Sequence, residues 1–135
     1  MNETKISCVI ATHNRDEYLK EAINSALNQI YHPVEIIISD NVPSQNTKLM
    51  VDKISQKSQI PIKYIGHEMG GKSSISMNLA VPLLQGDYIA FLNDDDTWEP
   101  EYLKKISQLV LKNGSKIIYS WFLDWHKNKK IQGKK

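Results

Sequence analysis

Three consecutive carboxylates, Asp94, Asp95 and Asp96, follow an apolar run at residues 87–92. Like charges this close repel one another, and a fold gains nothing by grouping them at the end of a buried strand. A hard divalent cation removes the conflict, and Mg²⁺ or Mn²⁺ prefers oxygen ligands. Such ions keep several waters and bind through one or two carboxylates plus substrate phosphates. The fitting ligand is therefore a bridged diphosphate, whose charge the cation would stabilise as it leaves. A plainer reading stays open, because acidic residues favour the first turn of a helix. One Asp, or Thr97, would cap a helix starting near Glu99. Three acids in a row exceed that need.

A second segment carries phosphate chemistry. Gly66, Gly71, Lys72 and Ser73 meet the P-loop spacing, with an expected strand before them and a helix after. The run from Tyr88 to Leu92, followed by acids, resembles a Walker B strand. A nucleoside-triphosphatase or kinase using Gly66 to Ser73 is thus the strongest rival. Pro61 counts against it: proline suits an edge strand or a strand start, whereas a P-loop follows a central strand. In either case backbone N–H groups here, and Lys72, would reach a diphosphate.

These segments need elements to hold them. Apolar runs predict strands at residues 5–11, 34–39, 60–65, 87–92 and 116–121. Helical spacing predicts helices at 15–30, 47–58, 73–84 and 99–112. The first carries Leu19, Ile23, Leu27 and Ile30, with Ala22 and Ala26, on one stripe, and Asn14 or Asp16 as cap. In the second, Leu49, Val51 and Ile54 face inward. Pro82 ends or kinks the third, and Pro100 sits in the first turn of the fourth. The expected fold is α/β: a mostly parallel sheet of about five strands built from βαβ units and flanked by helices. Ligands of such sheets bind beyond the carboxyl ends of the strands. Residues 13–15, 40–46, 66–72 and 93–98 each follow a strand and converge on one edge.

Length and charge set the frame. A chain of 135 residues suits one core. The net charge is +2, but five lysines, at 127, 129, 130, 134 and 135, fall in the last nine residues. The body without them is mildly acidic, which argues against nucleic acid as partner. Residues 1–121 are read as the domain. Residues 122–135 form a basic tail, a solvated or frayed end or an attractant for anionic membrane. The lone Cys8 forms no disulfide, and the four histidines (His13, His32, His67, His126) lack zinc spacing. No apolar stretch reaches the ~18 residues of a membrane span. The expected location is the cytoplasm, with peripheral contact to the inner face of the membrane as the tail's alternative. Trp121, Phe122 and Trp125 either pack in the core or mediate homo-oligomer contact.

Five segments in order resemble family 2 glycosyltransferases of the GT-A (Rossmann-like) fold. Ser7-Cys8-Val9-Ile10-Ala11-Thr12-His13-Asn14-Arg15 is similar to the opening S-V-I-I-P-T-Y-N-R. Leu27-Asn28-Gln29-Ile30-Tyr31 resembles L-x-Q-T-Y, and Glu35-Ile36-Ile37-Ile38-Ser39-Asp40-Asn41 resembles E-I-I-V-V-D-D or -D-N. Asn78 stands at the Asn of R-N-x-G. The run from Gly86 to Pro100 matches G-x-Y-I-A-F-L-D-x-D-D-x-W-x-P. Asn93 replaces the first acid of that D-x-D pattern, Asn41 a base-reading Asp, and Met77 and Ala80 the Arg and Gly of R-N-x-G.

The resemblance implies the nucleotide-sugar-binding half of such an enzyme, acting in polysaccharide biosynthesis. Its donor is a nucleotide-diphosphate sugar, its cofactor Mg²⁺ or Mn²⁺, and its acceptor a glycan or lipid-linked molecule. Ala11, Thr12, His13 and Asn14 would line the base, with His13 where a stacking Tyr is common. Asp40 and Asn41 would contact base or ribose, Asp94 the ribose and donor, and Asp95 the metal, with Asn78 at the motif's Asn; Lys72 joins the donor set on the phosphate chemistry of its Gly-rich loop. Simpler roles stand beside these: His13 as a turn residue, Asp40 as a loop cap, Asn78 as a surface amide, Trp98 as packing. The acceptor half and the general base are expected beyond the fifth strand, outside this chain; Asp124 is not nominated. A chain lacking them would be inactive alone, or a non-catalytic interaction module on a decayed transferase fold.

Overall fold

The computed structural model describes residues 3–118, 120, 123–126 and 129–132. Four parallel strands, β1 (Ile6–Thr12), β2 (Glu35–Asp40), β3 (Ile62–Gly66) and β4 (Tyr88–Asn93), form one sheet in the order β3-β2-β1-β4. Helices α1 (Asp16–Leu27), α2 (Gln45–Lys57) and α3 (Ser73–Ala80) connect them, and α4 (Tyr102–Asn113) follows β4. The two central strands are buried along their whole length. That is why they read as near-continuous apolar runs rather than alternating ones.

Alternation decides which helix each strand residue meets. Cys8, Ile10, Ile36, Ile38 and Leu92 pack under Leu19, Ala22, Ile23 and Ala26 of α1 and Val51 of α2. Further along the same face, Ile6 and Ala90 meet Leu103 of α4. Val9 and Ile37 point the other way, against Ala80 of α3. Helices thus cover both faces, and every βα turn opens at the carboxyl edge.

Several expectations need correction. Residues 116–118 and 120 are not in a strand, so the described parallel sheet has four strands rather than five. Instead β5 (Leu123–His126) and β6 (Lys129–Gln132) pair as an antiparallel ribbon within the tail expected to fray. Trp121 and Phe122, and the Trp125 side chain, lie outside the described residues. Helix α4 starts at Tyr102, leaving Pro100 in the preceding turn, where its carbonyl accepts from Ile30 N–H at 2.9 Å. Ile30 and Leu49, expected inward, are exposed; Ile30 follows the end of α1, where the helical stripe no longer applies. Neither Asn14 nor Asp16 caps α1. Asp16 instead accepts from the Thr47 hydroxyl at 2.6 Å. Pro82 does end α3, within a 3-10 turn at Val81–Leu83. Among the described residues no helix is long and apolar enough to cross a membrane.

Candidate donor-binding site

The carboxyl ends of β1, β2 and β4 surround an open cleft of about 360 Å³. Ala11 and Thr12 line it from the end of β1, His13 and Arg15 from the turn that follows, Asn41 from the turn after β2, Asn93 from the end of β4, and Asp94 and Asp95 from the turn after it. Gly71, Ser73 and Ser76 close it from the start of α3.

Asp94 is the knot of this arrangement. It is 5% exposed. Its Oδ2 accepts from the Thr12 hydroxyl at 2.9 Å and from His13 N–H at 3.2 Å. The guanidinium of Arg15 lies 3.4 Å from Asp94 Oδ1 and 2.9 Å from Asp95 Oδ2. Asp96 accepts from the Asn93 side-chain amide at 3.1 Å. The three acids therefore stay together because Thr12 and His13 N–H donate to Asp94, Arg15 neutralises Asp94 and Asp95, and the Asn93 amide serves Asp96. Capping plays no part, since α4 begins beyond Glu101 and has no side-chain cap.

Asn41 fixes His13. Its Nδ2 donates to the Gly70 carbonyl at 3.3 Å, which turns its Oδ1 toward His13 Nδ1 at 2.6 Å. The imidazole accordingly donates from Nδ1, and its exposed ring is held rather than swinging. Asn14 takes a left-handed φ of 49° in the same turn, a conformation asparagine tolerates better than most residues. On the third turn, His67 Nδ1 accepts from Met69 N–H, so Nε2 donates to the buried Ser76 hydroxyl at 2.8 Å.

Of the residues expected in the site, Ala11, Thr12, His13, Asn41, Asp94 and Asp95 converge, and Asn14, Asp40, Lys72 and Asn78 do not line the cleft. Asp40 is buried, with its carboxylate accepting from Val42 N–H at 2.9 Å and from the Tyr64 hydroxyl at 2.7 Å. Burial and the Asp40 charge push the Tyr64 phenol upward, keeping it the donor. Lys72 and Asn78 are exposed. Trp98 packs, stacking on Tyr102 with ring centroids 5.0 Å apart.

Arg15 and Ser73 stand in segments the sequence flags, but nothing local pairs Arg15 with the acids or turns Ser73 to this cleft. Ser76 has no sequence signal of its own beyond sharing a helix face with Ser73 at i, i+3. Gln29 was also missed as a support. Fully buried, it donates to the Ser25 and Glu99 carbonyls at 3.1 and 2.8 Å and accepts from Leu103 N–H at 2.9 Å. It ties the end of α1 to both the loop after the acids and the start of α4.

Among the described residues no group of three or more His, Cys, Asp or Glu can hold a metal ion unaided. Asp95 nevertheless has a half-exposed carboxylate beside the cleft. This donor set fits a cation completed by phosphate oxygens and water, as Mg²⁺ and Mn²⁺ accept, and not a self-contained site.

The sequence profile described as "Glycosyl transferase family 2" matches residues 7–132. The chain belongs to that family. Among its relatives, this chain is 33% identical over 119 residues to the Escherichia coli enzyme WfaP, named a UDP-Glc:alpha-D-GlcNAc-diphosphoundecaprenol beta-1,3-glucosyltransferase, covering 86% of this chain and 44% of that one. The fold matches S. aureus TarS 1-349 in complex with UDP-GlcNAc, with TM-score 0.70 and 24% identity over 82% of this chain and 32% of that one. It also matches the Pyrobaculum calidifontis mannosyltransferase PcManGT in complex with GDP-Man and Mn²⁺, with TM-score 0.73 and 16% identity over 83% and 34%. The chain spans less than half the length of the curated relatives it matches. The P-loop alternative finds no support in the fold, because β3 lies at the sheet's edge and β4 at the opposite one.

Proposed function

We propose that this domain binds a nucleotide-diphosphate sugar together with Mg²⁺ or Mn²⁺ and takes part in transferring the sugar to a glycan or lipid-linked acceptor. The carrying observation is the cleft itself: Thr12, His13 and Arg15 stand against Asp94 and Asp95 at the carboxyl edge of the sheet. His13, held by Asn41, offers a ring face to the base. Asp40 keeps the second turn in place for Asn41 rather than touching the donor. Asp95 would hold the cation, which stabilises the departing diphosphate, and α3 presents N–H groups and Ser73 toward that charge. Relatives named for UDP-Glc and diphosphoundecaprenol, and neighbours bound to UDP-GlcNAc or to GDP-Man and Mn²⁺, support this donor and acceptor chemistry. Peripheral contact with the inner face of a membrane belongs to the same proposal. No residue here is assigned as general base.

Titration with UDP- and GDP-sugars in the presence of Mn²⁺ tests the reading. Binding that is lost in Asp95→Ala and kept in Lys72→Ala is expected. Absence of any nucleotide binding, or ATP binding that depends on Lys72, would overturn it.

A further inference from the structure

The Arg15 guanidinium already pairs with one oxygen of the carboxylate that the cation would need. It lies 2.9 Å from Asp95 Oδ2, and both side chains are about half exposed, at 48% and 49%. Asp94 offers no substitute, since one of its oxygens serves Thr12 and His13 and the other faces the same guanidinium. Asp96 is engaged by Asn93. A metal ion arriving alone must therefore compete with Arg15 for Asp95, and would strand a guanidinium beside a dication.

We propose that Arg15 is a displaceable internal cation that makes metal binding conditional on the donor. This rests on the donor-binding reading above. When cation and diphosphate arrive together, Arg15 exchanges a carboxylate for phosphate oxygens, to which its planar fork is suited. Each ligand then strengthens the other, and by linkage the coupling is reciprocal. The exposed pair is weak enough to open readily, so it acts as a filter against bare cation rather than a lock.

Binding of Mn²⁺ to the full chain, followed by the electron paramagnetic resonance of free Mn²⁺, tests this without any turnover. Arg15→Gln should bind bare Mn²⁺ about five- to tenfold tighter than wild type, the scale of losing one exposed ion pair plus the local positive charge. The double variant R15Q/D95N should lose that gain. Saturating UDP should tighten Mn²⁺ more in wild type than in R15Q. Thermal melting checks that both variants fold. Equal or weaker Mn²⁺ binding by R15Q, or a gain that survives Asp95→Asn, overturns the proposal. Mn²⁺ uptake without UDP binding by any chain would defeat the donor reading instead, and the bare-cation comparison would still decide the displacement.

Discussion

The Thr12 hydroxyl donates to Asp94 Oδ2 at 2.9 Å, joining the carboxyl ends of two adjacent strands across 82 residues of sequence. With His13 N–H on the same oxygen, this contact fixes the relative position of the first turn and the acidic turn. The site's geometry is therefore part of the domain's stability rather than an addition to it.

Asp94→Ala leaves a buried hydroxyl and a backbone N–H without their acceptor. The expected loss is about 2 kcal/mol, the scale of unsatisfied buried polar groups, read by urea denaturation. Asp95→Ala, at a half-exposed carboxylate, should stay within about 0.5 kcal/mol. The two neighbours are thus separated: Asp94 affects folding and binding, Asp95 binding alone.

Gln29→Ala removes three hydrogen bonds from a buried position. A cost of about 2–4 kcal/mol is expected from the unpaired groups and the cavity. Because Gln29 holds the Glu99 carbonyl, nucleotide affinity should fall as well, in calorimetric titration below the melting temperature. Unchanged affinity would show that the acidic turn keeps its shape without this support.

Glu35 makes stability depend on pH at the opposite edge of the sheet. Desolvation by burial opposes its ionisation. Hydrogen bonds from Gln85 N–H at 2.5 Å, the Ser7 hydroxyl at 2.8 Å and the Lys63 ammonium at 3.2 Å outweigh that, so its pKa is lowered. A carboxyl depressed in the folded state stabilises fully above its unfolded pKa of about 4.3. That stability is lost as pH falls toward the folded value, where the unfolded chain binds more protons. Glu35→Gln should lower stability at pH 7 and flatten its decline below about pH 4.3. Denaturant midpoints measured from pH 3 to 7 check both signs.

Two glycines should respond oppositely to alanine. A Cβ at Gly86 would lie 2.7 Å from both the backbone N and the Oγ of Ser7, and 2.9 Å from the Lys5 carbonyl. Gly86→Ala must push β1 or the start of β4 aside, at about 1–3 kcal/mol. Gly71 has open space around its would-be Cβ, and Gly71→Ala should leave the melting temperature almost unchanged. Its position on the cleft makes nucleotide affinity the quantity to follow there.

Local sequence carries the α/β alternation and the carboxyl edge as the place where the loaded turns meet. Those follow from local periodicity and from the rule that parallel strands open their loops at one end. It also marked the acidic turn, because three like charges after an apolar run need an explanation. The tertiary structure alone decided which groups answer those charges. Arg15 and Asp95 are 80 positions apart, and no local pattern records that distance. Burial likewise turned the Asp40 carboxylate toward Tyr64 and placed Gln29 beneath the loop after the acids. The fifth expected strand failed for the same reason: an apolar run becomes a strand only where a neighbouring edge accepts its hydrogen bonds, and residues 116–118 and 120 join none.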